Sequence, residues 1–329
     1  MSSALELARA LPSGDRRALA KAITLVESTR ATDRAVAHEL LGLLDAPRAT
    51  SLRIGVTGVP GAGKSTLIDV LGQHAIGAGR RVAVLAIDPS SRQSGGSVLG
   101  DKTRMSRLAA DTSAYVRPSP TLGVLGGIAA RTREVISVCE AAGFDLIFVE
   151  TVGVGQSEEQ VASVVDCVLL VLLAGAGDDI SNMKRGVLEA ADVIAFNKAD
   201  GERVSSVMNE AAALRASLTV SRGEQVPPVL VLSALEGGGV PQLWDALCAH
   251  QADARATGSF QERRAGQRAQ SFEAAFEEAL QDALHQRPSA TLARRAAEAS
   301  VQDGTASPWE AAQRLVAALL AGPTSSERE

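Results

Sequence analysis

Residues 53 to 66 read Arg53-Ile54-Gly55-Val56-Thr57-Gly58-Val59-Pro60-Gly61-Ala62-Gly63-Lys64-Ser65-Thr66, and the order of residue types in this stretch decides the fold. A short β-branched run ends at a glycine-rich turn, and the turn opens onto a lysine, two hydroxyls and a helical pattern. The segment from Gly58 to Thr66 satisfies the spacing G-x-x-x-x-G-K-[ST] in the strand-to-helix setting that the spacing needs. Gly61 and Gly63 let the backbone turn so that successive N–H groups point inward, and the following helix adds the positive end of its dipole. Gly58, Val59, Pro60, Gly61, Ala62, Gly63, Lys64, Ser65 and Thr66 therefore form the expected phosphate cradle. Lys64 would sit on the β and γ phosphates as a catalytic cation, and the Ser65 hydroxyl would ligate Mg2+.

On either side of this stretch the pattern splits into blocks. Short apolar runs at Arg53–Thr57, Arg81–Asp88, Ala114–Arg117, Asp145–Glu150, Cys167–Leu173, Val193–Asn197 and Val229–Ser233 alternate with helical periods. Several are apolar almost throughout, which suits parallel strands covered on both faces. The expected architecture is α/β, a mostly parallel sheet with ligands at the carboxyl ends of its strands. Residues 4 to 45 carry a helical period punctuated by Pro12, Ser13, Gly14 and Asp15, so two or three helices precede the sheet. Beyond about residue 255 the strand signal ends. Helices are expected over Ser271–Leu284, ahead of Asp303–Gly304, and from Pro308 to Leu320. The expected organisation is 1–48 as an N-terminal helical extension, 49–254 as the phosphate-binding domain and 255–329 as a C-terminal helical region.

Two further strand ends select the base. Asn197-Lys198-Ala199-Asp200 follows an apolar strand, and there the Asp200 carboxylate can accept both the N1–H and the exocyclic amino N–H of guanine; adenine offers neither. Asn197 would brace the loop and Lys198 would lie along the base. Ser233-Ala234-Leu235, at the next strand end, is placed to meet guanine O6 through backbone N–H. Together these loops favour GTP and GDP over adenine nucleotides and make the expected fold a P-loop G domain.

Glu150-Thr151-Val152-Gly153 closes another strand. Glu150 would hold Mg2+ through water, and the Gly153 N–H could sense the γ-phosphate. Val154 stands where a water-orienting glutamine is common; Gln156 is close by in sequence, and Glu150, a water network or a residue from a partner could position the nucleophile instead, which makes Glu150 a candidate catalytic residue as well. Slow intrinsic hydrolysis is the expectation. Asp88 and Asp101 bracket a Gly- and Ser-rich loop and are candidate Mg2+ ligands, with Asp88 also a candidate catalytic residue, against a turn role for Asp88 and a helix cap for Asp101. The segment Gly175–Lys184 reads equally well as a nucleotide-sensitive loop or as a plain strand-to-helix connection.

Composition narrows the class. The chain has 329 residues, 46% hydrophobic and 22% charged, and a net charge of −5, which disfavours a nucleic-acid surface. Cys139, Cys167 and Cys248 show no paired spacing and read as buried small hydrophobes in a reduced compartment. No apolar run reaches membrane-spanning length and no signal peptide is visible, so a cytoplasmic location with no membrane association is expected.

GVPGAGKST, AIDPSSRQSGGSVLGDKTRM, ETVGVGQSE, AGAGDDI and NKAD, in this order, give the chain a resemblance to the MeaB/ArgK family, GTPases associated with methylmalonyl-CoA mutase. The resemblance covers nearly the whole length. It implies a chaperone of the adenosylcobalamin-dependent mutase that guards it and gates cofactor loading. It also implies a homodimer through the C-terminal helices, and switch regions at Asp88–Arg104, Glu150–Glu158 and Gly175–Lys184. Asp178 and Lys184 then become candidates for transmitting the nucleotide state, and Glu150 in place of aspartate fits the wider group. Two other readings are a nickel metallochaperone, for which His38, His74, His250 and His285 are scattered and no cysteine neighbours a histidine near the loops, and a P-loop kinase, for which no acceptor pocket or base is evident.

Overall fold

The computed structural model describes residues 3–44, 51–88, 105–120, 125–151, 161–175, 185–222, 226–285 and 288–320. The chain divides into two compact units, Met1–Arg268 and Ala269–Glu329.

The first unit is organised by seven strands: β1 Leu52–Gly58, β2 Val82–Asp88, β3 Ala114–Pro120, β4 Leu146–Thr151, β5 Cys167–Leu173, β6 Val193–Asn197 and β7 Val229–Val231. They form one sheet in the order β3-β2-β4-β1-β5-β6-β7, with every neighbouring pair parallel. All seven strands expected from the sequence are present. Because β4 and β5 flank β1, chain direction across the sheet reverses beside β1, and the crevice at that reversal is where such sheets bind ligands.

The strands are apolar on both faces because both faces are covered. On one, Leu52, Ile54 and Val56 of β1 pack with Leu67, Ile68 and Leu71 of α4 (Lys64–Gly77) and with Leu243, Trp244 and Leu247 of α9 (Val240–Thr257). On the other, Leu85, Ile147 and Val149 meet Ile136 and Val138 of α6 (Leu125–Ala141), with α1 (Ala4–Ala10), α2 (Arg16–Glu27) and α3 (Ala31–Leu43) adding to the same core. A third core joins Leu170, Ile194 and Phe196 to Val187 of α7 (Arg185–Ala190) and to Val207 and Ala211 of α8 (Val204–Arg222). Val161 and Val165, which follow residues 152–160, lie directly on β1. A Cβ on Gly55 would come within 2.4 Å of Val161, so the absent side chain sets that contact.

The N-terminal helices begin where polar side chains can satisfy their first N–H groups. Ser3 and Glu6 form a capping box on α1, and Asp15 caps α2 through the N–H groups of Arg17 and Ala18. These two N–H bonds hold the Asp15 carboxyl below its usual range. The short helix α5 (Ser106–Ala110) is capped from outside: buried Asp69 of α4 accepts from Leu108 N–H at 2.9 Å, and Leu108 fills the notch left by Gly72.

The amino end of the sheet is closed by buried charge. Arg53 donates to both oxygens of Glu140 at 2.8 and 2.9 Å, and Arg264 donates to both oxygens of Asp166 at 2.5 and 2.6 Å. Ser51 donates to Glu140, Gln267 donates to the Val165 carbonyl, and Asp166 accepts from the backbone N–H of Arg53. Arg264 and Gln267 come from α10 (Ser259–His285), which starts twelve residues earlier than the expected Ser271.

In the second unit, α11 (Pro288–Gln302) and α12 (Pro308–Leu320) pack on one another around a turn in which Gly304 adopts a φ of 69°. Phe272 and Phe276 on α10 stack with ring centroids 6.2 Å apart. No helix among the described residues is long and apolar enough to cross a membrane. Cys139 and Cys167 are buried, as expected, but Cys248 is only partly so, packed at the edge of the core that α9 shares with α4.

Candidate functional site

β1 ends in the turn 58–63, and α4 starts at Lys64 with Gly63 as its N-cap at a φ of 83°. No side chain caps this helix, so the positive end of its dipole is left to an anion. Lys64 is buried, and its ammonium bridges the carbonyl oxygens of Gly58 at 2.8 Å and Val59 at 3.2 Å. That bridge holds the cation over the turn. Next along the helix, the Ser65 hydroxyl donates to Oε1 of Glu150 at 2.7 Å. Glu150 reaches it from the adjacent strand, since β4 pairs with β1 and Glu150 lies opposite Val56. Two hard oxygen ligands therefore stand together at the mouth of the turn, a donor set suited to Mg2+.

The two loops expected to read the base come to the same place. Asn197, buried at the end of β6, donates to the Ala62 carbonyl at 2.8 Å and accepts from the Ala234 N–H at 3.0 Å. One side chain thus fastens the turn after β1, the loop after β6 and the loop after β7 to each other. Asn197 also fits against Gly63 so closely that a Cβ there would lie 2.7 Å from its Nδ2. Lys198 has a φ of 61° and is the one non-glycine residue with positive φ among the described residues. Its side chain runs past Gly63, with Cε 3.8 Å from where that Cβ would be. Asp200 accepts a short hydrogen bond from the Ser233 hydroxyl, and Arg203 lies 3.4 Å from its other oxygen. Ser233 in turn accepts from the Glu236 N–H, which fixes the turn that exposes Leu235.

The structure therefore brings together Gly58 to Thr66, Glu150, Asn197, Lys198, Asp200, Ser233 and Ala234. Asp101, Gly153, Val154, Gln156, Asp178 and Lys184 lie outside the described residues, and of Asp88 only its place at the end of β2 is described. Asn197 was expected to brace its own loop and Ser65 and Glu150 to share a metal; that Asn197 ties three loops and that Ser65 bonds directly to Glu150 depends on the strand order.

A second gathering lies at the opposite end of the sheet. Cys167, Asp192 and His250 have ligand atoms within 4.8 Å of one another, a proximity hidden by their separation in sequence. Burial pushes the Cys167 thiol well above its usual range. Asp192 is already engaged: Arg263 donates to both its oxygens at 3.0 and 3.1 Å, and the Val168 N–H donates at 2.8 Å.

A parallel sheet that reverses direction beside a P-loop, with an N-K-x-D loop fastened to that P-loop, defines a P-loop GTPase, a hydrolase of guanine nucleotides. The family model described as methylmalonyl-CoA mutase-associated GTPase MeaB matches residues 19–289, and the chain belongs to that family. A probable GTPase of Mycobacterium tuberculosis is 47% identical over 313 residues, covering 94% of this chain and 93% of the relative. The GTPase ArgK of Escherichia coli is 45% identical over 262 residues, 79% of each chain. The mouse mitochondrial methylmalonic aciduria type A homolog is 39% identical over 322 residues, covering 94% of this chain and 78% of the relative. Among solved structures, a LAO/AO transport system kinase superposes with a TM-score of 0.71 at 34% identity, over 96% of this chain and 97% of that one.

Proposed function

We propose that this GTPase uses its nucleotide cycle to act as a chaperone of adenosylcobalamin-dependent methylmalonyl-CoA mutase, protecting it and gating cofactor loading. The observation that carries the reading is the family match over residues 19–289, in a chain whose nucleotide loops are all present. The likeness to the mouse methylmalonic aciduria protein supports it.

In this reading Lys64 and the N–H groups of the turn hold the phosphates of GTP. Asp200 takes the guanine edge, with Asn197, Lys198, Ser233, Ala234 and Leu235 shaping its pocket. Ser65, Glu150, Asp88 and Asp101 would hold Mg2+, which neutralises charge on the phosphates when bound. Ser65 and Glu150, which bond to each other in this structure, would present those oxygens to the metal instead. The switch segments Asp88–Arg104, Glu150–Glu158 and Gly175–Lys184 carry the state to the mutase, through Asp178 and Lys184, and Gly153 reads the γ-phosphate. Hydrolysis is slow until the partner engages.

Residues 1–48, 49–254 and 255–329 would serve as support, motor and dimer contact. Phe272, Phe276, Leu292 and Trp309 in the last of these are each more than half exposed, an unusual display for an unpartnered helical region.

GTP hydrolysis measured with and without the mutase, with ATP as control nucleotide, tests the proposal. Slow, GTP-selective turnover that rises when the mutase is added is the expected result. Turnover indifferent to the mutase would remove the partner and leave the GTPase, whereas transfer of phosphate to an acceptor would favour the kinase reading instead. Lys64→Ala should abolish fluorescent GTP binding and the mutase response together, and a variant that still responds to GTP would overturn the role given to Lys64.

A further inference from the structure

β1 and β4 run side by side as far as the pair Val56 and Glu150. One residue further the two chains part, β1 into the phosphate turn and β4 into residues 152–160. At this fork stand two threonines. The Thr151 hydroxyl donates to the Thr57 hydroxyl at 3.2 Å, and each residue is 1% exposed. Successive side chains on a strand point to opposite faces, so this pair lies on the face away from Ser65 and Glu150. Backbone pairing holds Thr151 to Ile87 of β2 on its other side. Towards β1 the hydroxyl pair takes over where the backbone pairing stops.

Space-filling does not explain threonine here. Valine has the same shape, and two buried hydroxyls are unfavourable in an apolar sheet unless they bond to each other. What the pair adds is a fixed spacing between the strand end that carries Glu150 and the strand end that leads into Ser65.

We infer that Thr57 and Thr151 are positioning residues for the metal and phosphate site: their hydrogen bond sets the gap that Ser65 and Glu150 span when Mg2+ accompanies the nucleotide. The inference rests on the proposed assignment of Ser65 and Glu150 to Mg2+.

The test compares wild type with Thr57→Val, Thr151→Val and the double valine variant. Removing both hydroxyls leaves neither orphaned, so the double variant should melt within a few degrees of wild type. The readout is affinity for a fluorescent GDP analogue, measured in EDTA and across a Mg2+ titration. Affinity in EDTA should stay within about twofold of wild type, while the Mg2+ concentration giving half-maximal tightening rises roughly fivefold, the size expected of one lost hydrogen bond. The double variant should show no larger shift than either single one, and Thr57→Ser should restore the wild-type value. An unchanged Mg2+ midpoint in the double variant would overturn the inference, as would an equal loss of affinity with and without Mg2+, which would mark a purely structural role. Ser65→Ala and Glu150→Gln separate the two ideas. If they leave the Mg2+ response intact, the metal assignment fails; if they abolish it while the valine pair does not, only the positioning role fails.

Discussion

At the amino end of the sheet, Arg53, Glu140, Asp166 and Arg264 face one another in two bidentate pairs and are almost sealed from solvent. At the carboxyl end, Lys64, Ser65 and Glu150 also gather, but in looser partnerships. Lys64 rests on two backbone carbonyls, Ser65 on Glu150, and α4 begins without a side-chain cap. The first arrangement matches positive against negative charge within the protein and has no place for a ligand. The second matches cations and N–H groups against neutral or provisional acceptors, which a triphosphate would outcompete as an anion. Charged residues in one fold can thus serve opposite ends: structure where the partners are charges of the protein itself, binding where the partners can be exchanged.

The largest expected effect breaks the closed end. Glu140→Ala leaves two buried guanidinium groups facing one carboxylate, and a loss of about 3–5 kcal/mol in unfolding free energy is expected. Denaturant titration measures it, and GTP affinity of the folded variant should change less than about threefold. A comparable loss of GTP affinity would show that the two ends are not independent.

An intermediate effect strikes the exchangeable end. Asn197→Ala removes the bonds to Ala62 and Ala234 and should weaken GTP binding by about 10- to 100-fold, equivalent to the loss of one or two well-placed hydrogen bonds. Its melting temperature should move less than that of Glu140→Ala. The reverse ranking would erase the distinction drawn above.

The smallest effect is on pH dependence, and it too belongs to the closed end. Burial raises the thiol pKa of Cys139 and Cys167, which adjoin Glu140 and Asp166 in sequence. A thiol with a raised folded pKa contributes full stability below its unfolded value of about 8.5, and that contribution is lost as pH rises, because only the unfolded state releases the proton. Between pH 8 and 9 the two thiols together should cost about 1–2 kcal/mol, and a Cys139→Ala, Cys167→Ala variant should show a flatter slope. An unaltered slope in that variant would assign the pH dependence elsewhere.

The strands, the phosphate turn and the guanine loops were legible because each is written in a few adjacent residues. Contacts between distant residues were not. Thr57 and Thr151 are 94 positions apart, and Asn197 reaches Ala62 across 135. The start of α10 was missed for a different reason. Its buried positions are Phe260, Arg264 and Gln267, a proper helical spacing, but two of the three are polar and leave the hydrophobic period silent. Arg53 was the one visible clue to the buried cluster, a charge between Leu52 and Ile54 in an otherwise apolar strand.

The notch at Gly55 has a consequence for the energetics of the nucleotide cycle. Thr151 is tied to Thr57, and Val161 is seated at Gly55, so the nine residues 152–160 leave and return within two positions of one strand. Closing such a chain costs on the order of 2 kcal/mol in (3/2)RT ln n, plus a constant. The fold meets that cost once, through the core, and it cancels between any two nucleotide states that keep both ends in place. That closure cost therefore takes no part in the free-energy difference between two such states.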